Sequence, residues 1–343
     1  MSFFKRLFGI KDKEEQGSVP KPYVEEKKKS TSIDDLLKEE KVFQYEAPIT
    51  HINKEATKET IAEEIKTAGN PDDWDIYNAN GKEGFKDENG IIVIKANFDK
   101  VNYFENGLAI VQVNDKKGLI NSRGEYVMKP EYSYIFSATE GLFAFEKEEM
   151  YGFANRDGTI AIKPQYFYAG GFYEGVSAVS EGGKDYYITK DNKKAFNVDF
   201  EDAGDFSEGL ASAVPYDMKE GENKTGFIDR TGKFVIKPQF DFTGSFRNGF
   251  APVCKNDQWA FIDKTGKPVC GYIYADAEDF YCGRAAVKQE KKGSWGYADT
   301  TGKLVIPCQF DYSSEFDEQK GSAYVFIKGK CYTLYPDGRK ETV

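Results

Sequence analysis

A fixed spacing of glycines limits what this chain can fold into more than any other feature of its sequence. Gly90, Gly124, Gly158, Gly232, Gly266, Gly302 and Gly338 follow one another, with Asn192 in the one place where glycine is missing, at steps of 34, 34, 34, 40, 34, 36 and 36 residues. Three residues ahead of each stands Asp87, Asn121, Asn155, Thr189, Asp229, Asp263, Asp299 or Tyr335. An Asp or Asn there can accept bonds from the backbone N–H groups ahead of it, and a glycine three residues later takes the positive φ of a bulged hairpin turn without a Cβ clash. The seven glycines, with Asp229, Asp263 and Asp299, are therefore read as structural turn residues. A second ladder, Gly107, Gly141, Gly175, Gly209, Gly249, Gly283 and Gly321, carries Phe104, Phe172, Phe206, Phe246 and Phe280 three residues upstream. Those phenylalanines are expected at one shared core position. Self-similarity at a fixed period means that one unit cannot bury a core alone and must pack on its neighbours.

The copy from Gly226 to Val253 shows the grammar of a unit. Phe227 and Ile228 begin a β run, Asp229-Arg230-Thr231-Gly232 interrupts it, and Phe234-Val235-Ile236 resumes it, which is the pattern of a hairpin. Pro238 lacks an N–H and is expected to stop the second strand. Phe246-Arg247-Asn248-Gly249 reads as a second turn, after which Phe250 to Val253 starts a third strand, with Pro252 marking an exposed edge or a bulge. The frame Trp295-Gly296-Tyr297-Ala298-Asp299-Thr300-Thr301-Gly302, then Val305-Ile306, and a Phe-x-x-Gly-x-Ala segment as at Phe206 to Ala211, resembles the bacterial WG repeat family over residues 81–343. The Trp-Gly pair survives once. Lys117-Gly118, Tyr151-Gly152 and Thr225-Gly226 stand for it elsewhere, and Ala260, Tyr186 and Tyr332 take the glycine place, so the fourth and eighth copies are degenerate. The resemblance implies a β-rich repeat array and brings no catalytic residue with it.

The expected fold is an all-β array of about eight units, the last partial, each a hairpin plus a third antiparallel strand. An open β-solenoid or superhelix is favoured over a closed β-propeller, because a propeller blade takes four strands and ~40 or more residues. Composition agrees: 33 Gly, 27 Phe and 22 Tyr among 343 residues suit many short strands joined by tight turns.

Upstream of the array the sequence changes character, and a short helical N-terminal extension is expected. Phe3, Phe4, Leu7 and Phe8 share one face of an amphipathic helix over residues 1–10, with Lys5 and Arg6 beside them and Lys11 and Lys13 following, as in membrane-touching segments. A secretory signal would need ~7–15 apolar residues in a row, which the charges interrupt. The alternative is a helix that docks on its own protein or frays in solvent. Residues 11–31 are rich in Lys, Glu, Ser and Pro and read as a flexible linker. Residues 32–80 form an acidic helical extension, with helices starting at Ser32 and over 53–68, that is expected to cap the first unit.

Catalytic equipment is sparse. The only histidine, His51, lies outside the repeats, which removes histidine-based acid–base chemistry and most zinc geometries from the array. Cys254, Cys270, Cys282, Cys308 and Cys331 form no Cys-x-x-Cys pair and sit at different phases of the repeat, so reduced thiols are expected ahead of a disulfide between neighbouring strands. Gly226 to Lys233 has five residues between its glycines and lies between strands, unlike a phosphate loop. One carboxylate per turn is too few for a calcium loop. Acidic pairs such as Glu148-Glu149 or Asp202-Asp205 supply the minimum for glycoside hydrolysis, and the net charge of −10 disfavours nucleic acid. No catalytic, cofactor-binding or metal-binding residue is assigned. The expected function is a non-catalytic scaffold for an unidentified protein partner, cytoplasmic and peripheral to the inner membrane, where the net +3 of residues 1–13 suits an anionic lipid surface. The alternatives are a carbohydrate or envelope-polymer binder using exposed aromatics and, last, a carboxylate-dependent hydrolase.

Overall fold

The computed structural model describes residues 69–216 and 224–343. The helix expected at residues 1–10, the linker at 11–31, the helices within 32–68 and His51 lie outside the described residues. The described chain divides into two units, one ending at Pro130 and one beginning at Glu131. Both are built from antiparallel sheets, and the one helical element among the described residues is the 3-10 turn Pro71–Asp73.

In the first unit a three-stranded sheet, Asp75–Ala79, Lys82–Lys86 and Ile92–Phe98, precedes a four-stranded one, Lys100–Val101, Leu108–Val113, Lys116–Asn121 and Tyr126–Tyr132. The β structure therefore begins upstream of residue 81. At its head Asp72 accepts the backbone N–H groups of Asn106 and Gly107 at 2.8 Å, and Trp74 packs edge-on against Phe104 with ring centroids 5.3 Å apart.

The second unit has three four-stranded sheets, as in Tyr134–Ile135, Leu142–Lys147, Met150–Asn155 and Ile160–Tyr166, together with one of seven strands from Tyr168–Ala169 to Phe234–Phe240 and one of three from Phe242–Thr243 to Gln258–Asp263. Three strands per copy was the expectation, and the structure corrects it. A strand of two residues, such as Phe242–Thr243 paired with Cys254 and Val253, precedes the hairpin. Two residues show no periodicity, and hairpin turns as tight as Glu148-Glu149, both with positive φ, let four strands fit a 34-residue step. Length therefore gives no objection to blade-like sheets.

Pro238 does not end its strand, which runs on through Phe234–Phe240. The strand is bulged there: Phe227 pairs with Ile236 while Thr225 pairs with Phe240, so the missing N–H falls where the ladder is already interrupted. The bulge passes directly over Gly226, where a Cβ would lie 2.5 Å from the Ile236 carbonyl oxygen and 2.7 Å from Pro238 N. The same approach, at 2.4–2.7 Å from a carbonyl oxygen, occurs at Gly84, Gly118, Gly152 and Gly296. Where glycine is replaced the tight bulge is gone. After Tyr186 and Ala260 the segments 195–199 and 269–273 lie outside any strand, and Tyr332 pairs in plain register with Thr342. Pro252 is buried inside Phe250–Lys255 and not at an exposed edge. It accepts the Gly244 N–H, and at the equivalent Tyr324 the N–H goes to the Ser314 hydroxyl, so proline there gives up no ladder bond.

Phe104, Phe172, Phe206, Phe246, Phe280 and Phe316 are all buried. Each meets the aromatic ring that follows the glycine place one copy earlier, Phe85, Phe153, Tyr187, Phe227, Phe261 and Tyr297, with ring centroids 4.6–5.1 Å apart. Such pairs contribute ~0.5–1.5 kcal/mol each beyond the area they bury. They join copy to copy within each unit.

Candidate functional site

The glycines Gly90, Gly124, Gly158, Gly232, Gly266, Gly302 and Gly338 have φ between 73° and 89°. Asp229 accepts the Thr231 N–H and hydroxyl and the Lys233 N–H; Asp263 does the same with Thr265 and Lys267, and Asp299 with Thr301 and Lys303. The threonine hydroxyl, ahead of the backbone bonds, holds Asp229 and Asp263 below the usual carboxylate range. These side chains serve their own turns and do not converge on a site. Phe3, Phe4, Lys5, Arg6, Leu7 and Phe8 lie outside the described residues. Glu148 and Glu149 occupy an exposed turn. The five cysteines are free thiols, and burial pushes Cys254 up to about 11. Among the described residues no three His, Cys, Asp or Glu side chains come together to hold a metal ion.

Turns of the second ladder are stapled from copy to copy. Glu140, Glu174, Glu208 and Asn248, all with positive φ, accept the N–H groups of Gly175, Gly209, Gly249 and Gly283 at 2.9–3.0 Å. Lys190, Arg230 and Lys264 lie 3.1–3.5 Å from the three glutamates. In the fourth instance Thr300 stands in the cation's place in the turn, and the carboxylate is correspondingly an amide. These are structural devices.

The residues on either side of the buried phenylalanines behave differently. Gly171 and Tyr173, Asp205 and Ser207, Ser245 and Arg247, Asp279 and Tyr281, and Glu315 and Asp317 occupy equivalent places in successive copies. Several of them meet. Arg247 Nε lies 3.9 Å from Asp279 Oδ2, and the guanidinium stands over the Tyr281 ring, 4.5 Å from its centroid. Arg247 Nε is buried without a hydrogen-bond partner among the described residues. Ser245 donates its N–H to Asp279 Oδ1 at 2.9 Å. Burial pushes Asp279 up to about 6, with Ser245 and Arg247 pulling against it and Glu315 adding to it. Glu278 is raised to about 7 by burial and then by Asp276, Asp279 and Glu315. Alongside runs an open cleft of about 600 Å³ lined by Tyr281, Glu315, Asp317, Glu318, Lys320 and Tyr324.

Asp205 is the second focus. Its Oδ1 lies against Gly170, where a Cβ would sit 3.0 Å away. Its charge reaches Tyr168, Tyr173 and Tyr187, each raised first by burial and then by the Asp205 charge, with Asp185 and Asp202 also acting on Tyr168 and Tyr187. Arg247 pulls Tyr173 back down and so links the two foci. Burial pushes Asp205 itself up to about 7. Gly244 makes room for Asp279 in the same way, since a Cβ there would lie 2.1 Å from Asp279 Oδ1.

From the sequence Asp205 stood out only as half of a carboxylate pair with Asp202, and Tyr168, Tyr173, Arg247, Glu278, Asp279 and Tyr281 were not recognised. One signal was available: a glycine 35 residues ahead of an aspartate occurs at both foci, Gly170 with Asp205 and Gly244 with Asp279.

Six segments of the chain, residues 84–116, 118–150, 151–184, 226–259, 259–292 and 295–331, match the family described as WG containing repeat. The chain belongs to the WG repeat family. The stretch between the third and fourth matched WG repeats is the copy with Tyr186 in the glycine place, whose return segment leaves the sheet. No curated protein matches the WG repeat chain in sequence. Among solved structures it is similar to a eukaryotic initiation factor, with a TM-score of 0.57 and 10% identity over 78% of this chain and 83% of that one; at such identity the likeness is one of fold alone. Hsv2p of Kluyveromyces lactis (TM-score 0.41, 11% identity, 68% of this chain and 91% of that one) and the Pan2 WD40 domain of Neurospora crassa (TM-score 0.36, 13% identity, 71% and 90%) are less similar.

Proposed function

We propose that this WG repeat array is a non-catalytic scaffold that holds a protein partner through the side chains flanking its buried phenylalanines. The observation that carries the reading is the contrast inside each repeat. The core ring is nearly constant, whereas its neighbours change from Gly171 and Tyr173 to Asp205 and Ser207, Ser245 and Arg247, and Asp279 and Tyr281. A regular frame presenting an irregular polar and aromatic surface suits one irregular protein surface better than a polymer of identical subunits. The array is proposed to work at the inner membrane face, held there by residues 1–13, and to be open.

Affinity capture from the native cell, with the full chain and an Arg247→Ala, Asp279→Asn variant, tests the reading. The same protein should be retained by the intact chain and lost by the variant. Recovery of a glycan without protein would favour the carbohydrate reading, and turnover abolished by Asp205→Asn would favour the hydrolase. Small-angle scattering tests the arrangement: a radius of gyration near the ~20 Å of a globular chain of this length would replace the open array by a propeller.

A further inference from the structure

We propose that the recess around Asp205 receives a single alkylammonium or guanidinium group, presented by a lysine or arginine of the partner. The inference rests on the scaffold reading above and names the chemistry that the partner brings. A carboxylate taken out of water is ordinarily paired or hydrogen-bonded, because the charged form is otherwise strongly disfavoured. Asp205 has neither a hydrogen bond nor an ion pair with any described residue, and the surrounding fold keeps it so. Two of the hydroxyl donors nearby are directed to backbone: that of Tyr187 to Gly204 O at 2.6 Å, and that of Ser177 to Gly170 O at 3.1 Å and Ala178 O at 3.3 Å. Asp185 accepts the Ala203 N–H at 3.2 Å and adds negative charge. Gly170 lacks the Cβ that would crowd the carboxylate. The carboxylate is thus set against backbone and beside tyrosine with its acceptor unused.

Accessibility and charge select the ligand. Asp205 is partly exposed and Tyr173 is 37% exposed, so the recess is reachable from solvent. Asp185, Asp202 and Asp205 together repel an anion. Tyrosines beside an unpaired carboxylate complement a cation, which gains both the charge-assisted hydrogen bond and the aromatic ring field. Arg247, whose charge reaches Tyr173, is turned to Asp279 and Tyr281.

A cation entering the recess favours the ionised carboxylate and so releases the proton that burial keeps on Asp205 near neutrality. Tyr168, Tyr173 and Tyr187 are all shifted upward, by burial first and then by the Asp205 charge, so they stay neutral and Asp205 supplies the proton. Calorimetric titration of the full chain at physiological salt, with a tetralysine peptide and separately with spermidine, reads this directly. The peptide should bind at pH 8, about ten-fold more weakly at pH 6, and with a heat that depends on buffer ionisation. Asp205→Asn should weaken it about ten-fold and abolish the proton release; Tyr173→Ala, at an exposed position, should weaken it too. Glu148→Gln with Glu149→Gln, on an exposed turn, should change nothing. Thermal unfolding keeps the comparison fair, because Asp205→Asn removes an unpaired buried charge and should melt no lower than the intact chain. Equal binding by the intact chain and Asp205→Asn, absence of proton release, or no binding by the intact chain overturns the proposal. Spermidine binding tighter than the peptide's would overturn the assignment to a protein side chain. Loss of this result with partner capture intact leaves the scaffold reading standing, whereas loss of capture alone removes the scaffold and leaves an amine site.

Discussion

At Gly226 the absence of one methyl group decides the path of the neighbouring strand, since the bulge of Phe234–Phe240 occupies the space a Cβ would need. Gly226→Ala is expected to destabilise the array by about 1–3 kcal/mol through overpacking against backbone that cannot yield, read as a lower urea midpoint. Ala260→Gly, in a copy whose return segment has left the sheet, should cost only about 0.5–1 kcal/mol of chain entropy. Equal effects would show that close approach is not the reason for the repeat glycine. A second residue-scale expectation concerns pH. Asp205, Glu278 and Asp279 are raised to about 7, 7 and 6 by burial, so the folded chain keeps protons that the unfolded chain has already lost. Stability should therefore be highest below about pH 4 to 5 as far as these groups are concerned, and fall as pH rises through 6 and 7, by an amount on the order of a few kcal/mol in sum. Urea titrations at pH 5 and pH 8 should show Asp205→Asn flattening that dependence and exceeding the intact chain at pH 8. The turn residues were legible in the sequence because a turn is a property of four adjacent residues. The bulge over Gly226 was not, because it depends on a strand ten residues away.

The element that joins one copy to the next is an aromatic pair, and Phe246 against Phe227, 4.8 Å between centroids, is typical. Phe246→Ala should cost about 3–5 kcal/mol, with hydrogen exchange rising first in Thr225–Ile228 and Phe250–Lys255, the strands beside the emptied position. Uniform loss of protection along the chain would mean that the copies fold as one cooperative block. Glu174, which accepts the Gly209 N–H and lies 3.5 Å from Arg230, is partly exposed, so Glu174→Gln should cost no more than about 1 kcal/mol. The recurring phenylalanines were visible as a pattern, whereas the two-residue strands were not, since so short an element has no period to detect. That omission led to three strands per unit where four of the seven sheets have four.

For the whole molecule, residues 1–13 carry a net +3 and the remainder −13. Phe3, Phe4, Leu7 and Phe8 would each contribute at most ~1.5–3 kcal/mol on burial at the acyl boundary, against the ordering of a helix too short to be stable alone. Weak, salt-sensitive attachment is the expected outcome. The intact chain should co-sediment with anionic vesicles at low salt, and Phe4→Glu or deletion of residues 2–9 should leave it in the supernatant; equal sedimentation of both forms would assign the segment no membrane role. The sequence by itself determined that this is a β repeat array, where its turns lie and which rings fill its core. Those properties are set by residues adjacent in the chain or one period apart, and each copy restates them. Only the tertiary structure decided that Asp205 would lie on Gly170 with its charge reaching three tyrosines, that Arg247 would face Asp279 and Tyr281, and that partial burial would push both carboxylates up. Such contacts join residues from different copies through the packing of sheet on sheet, and desolvation is a property of that packing rather than of any residue in it.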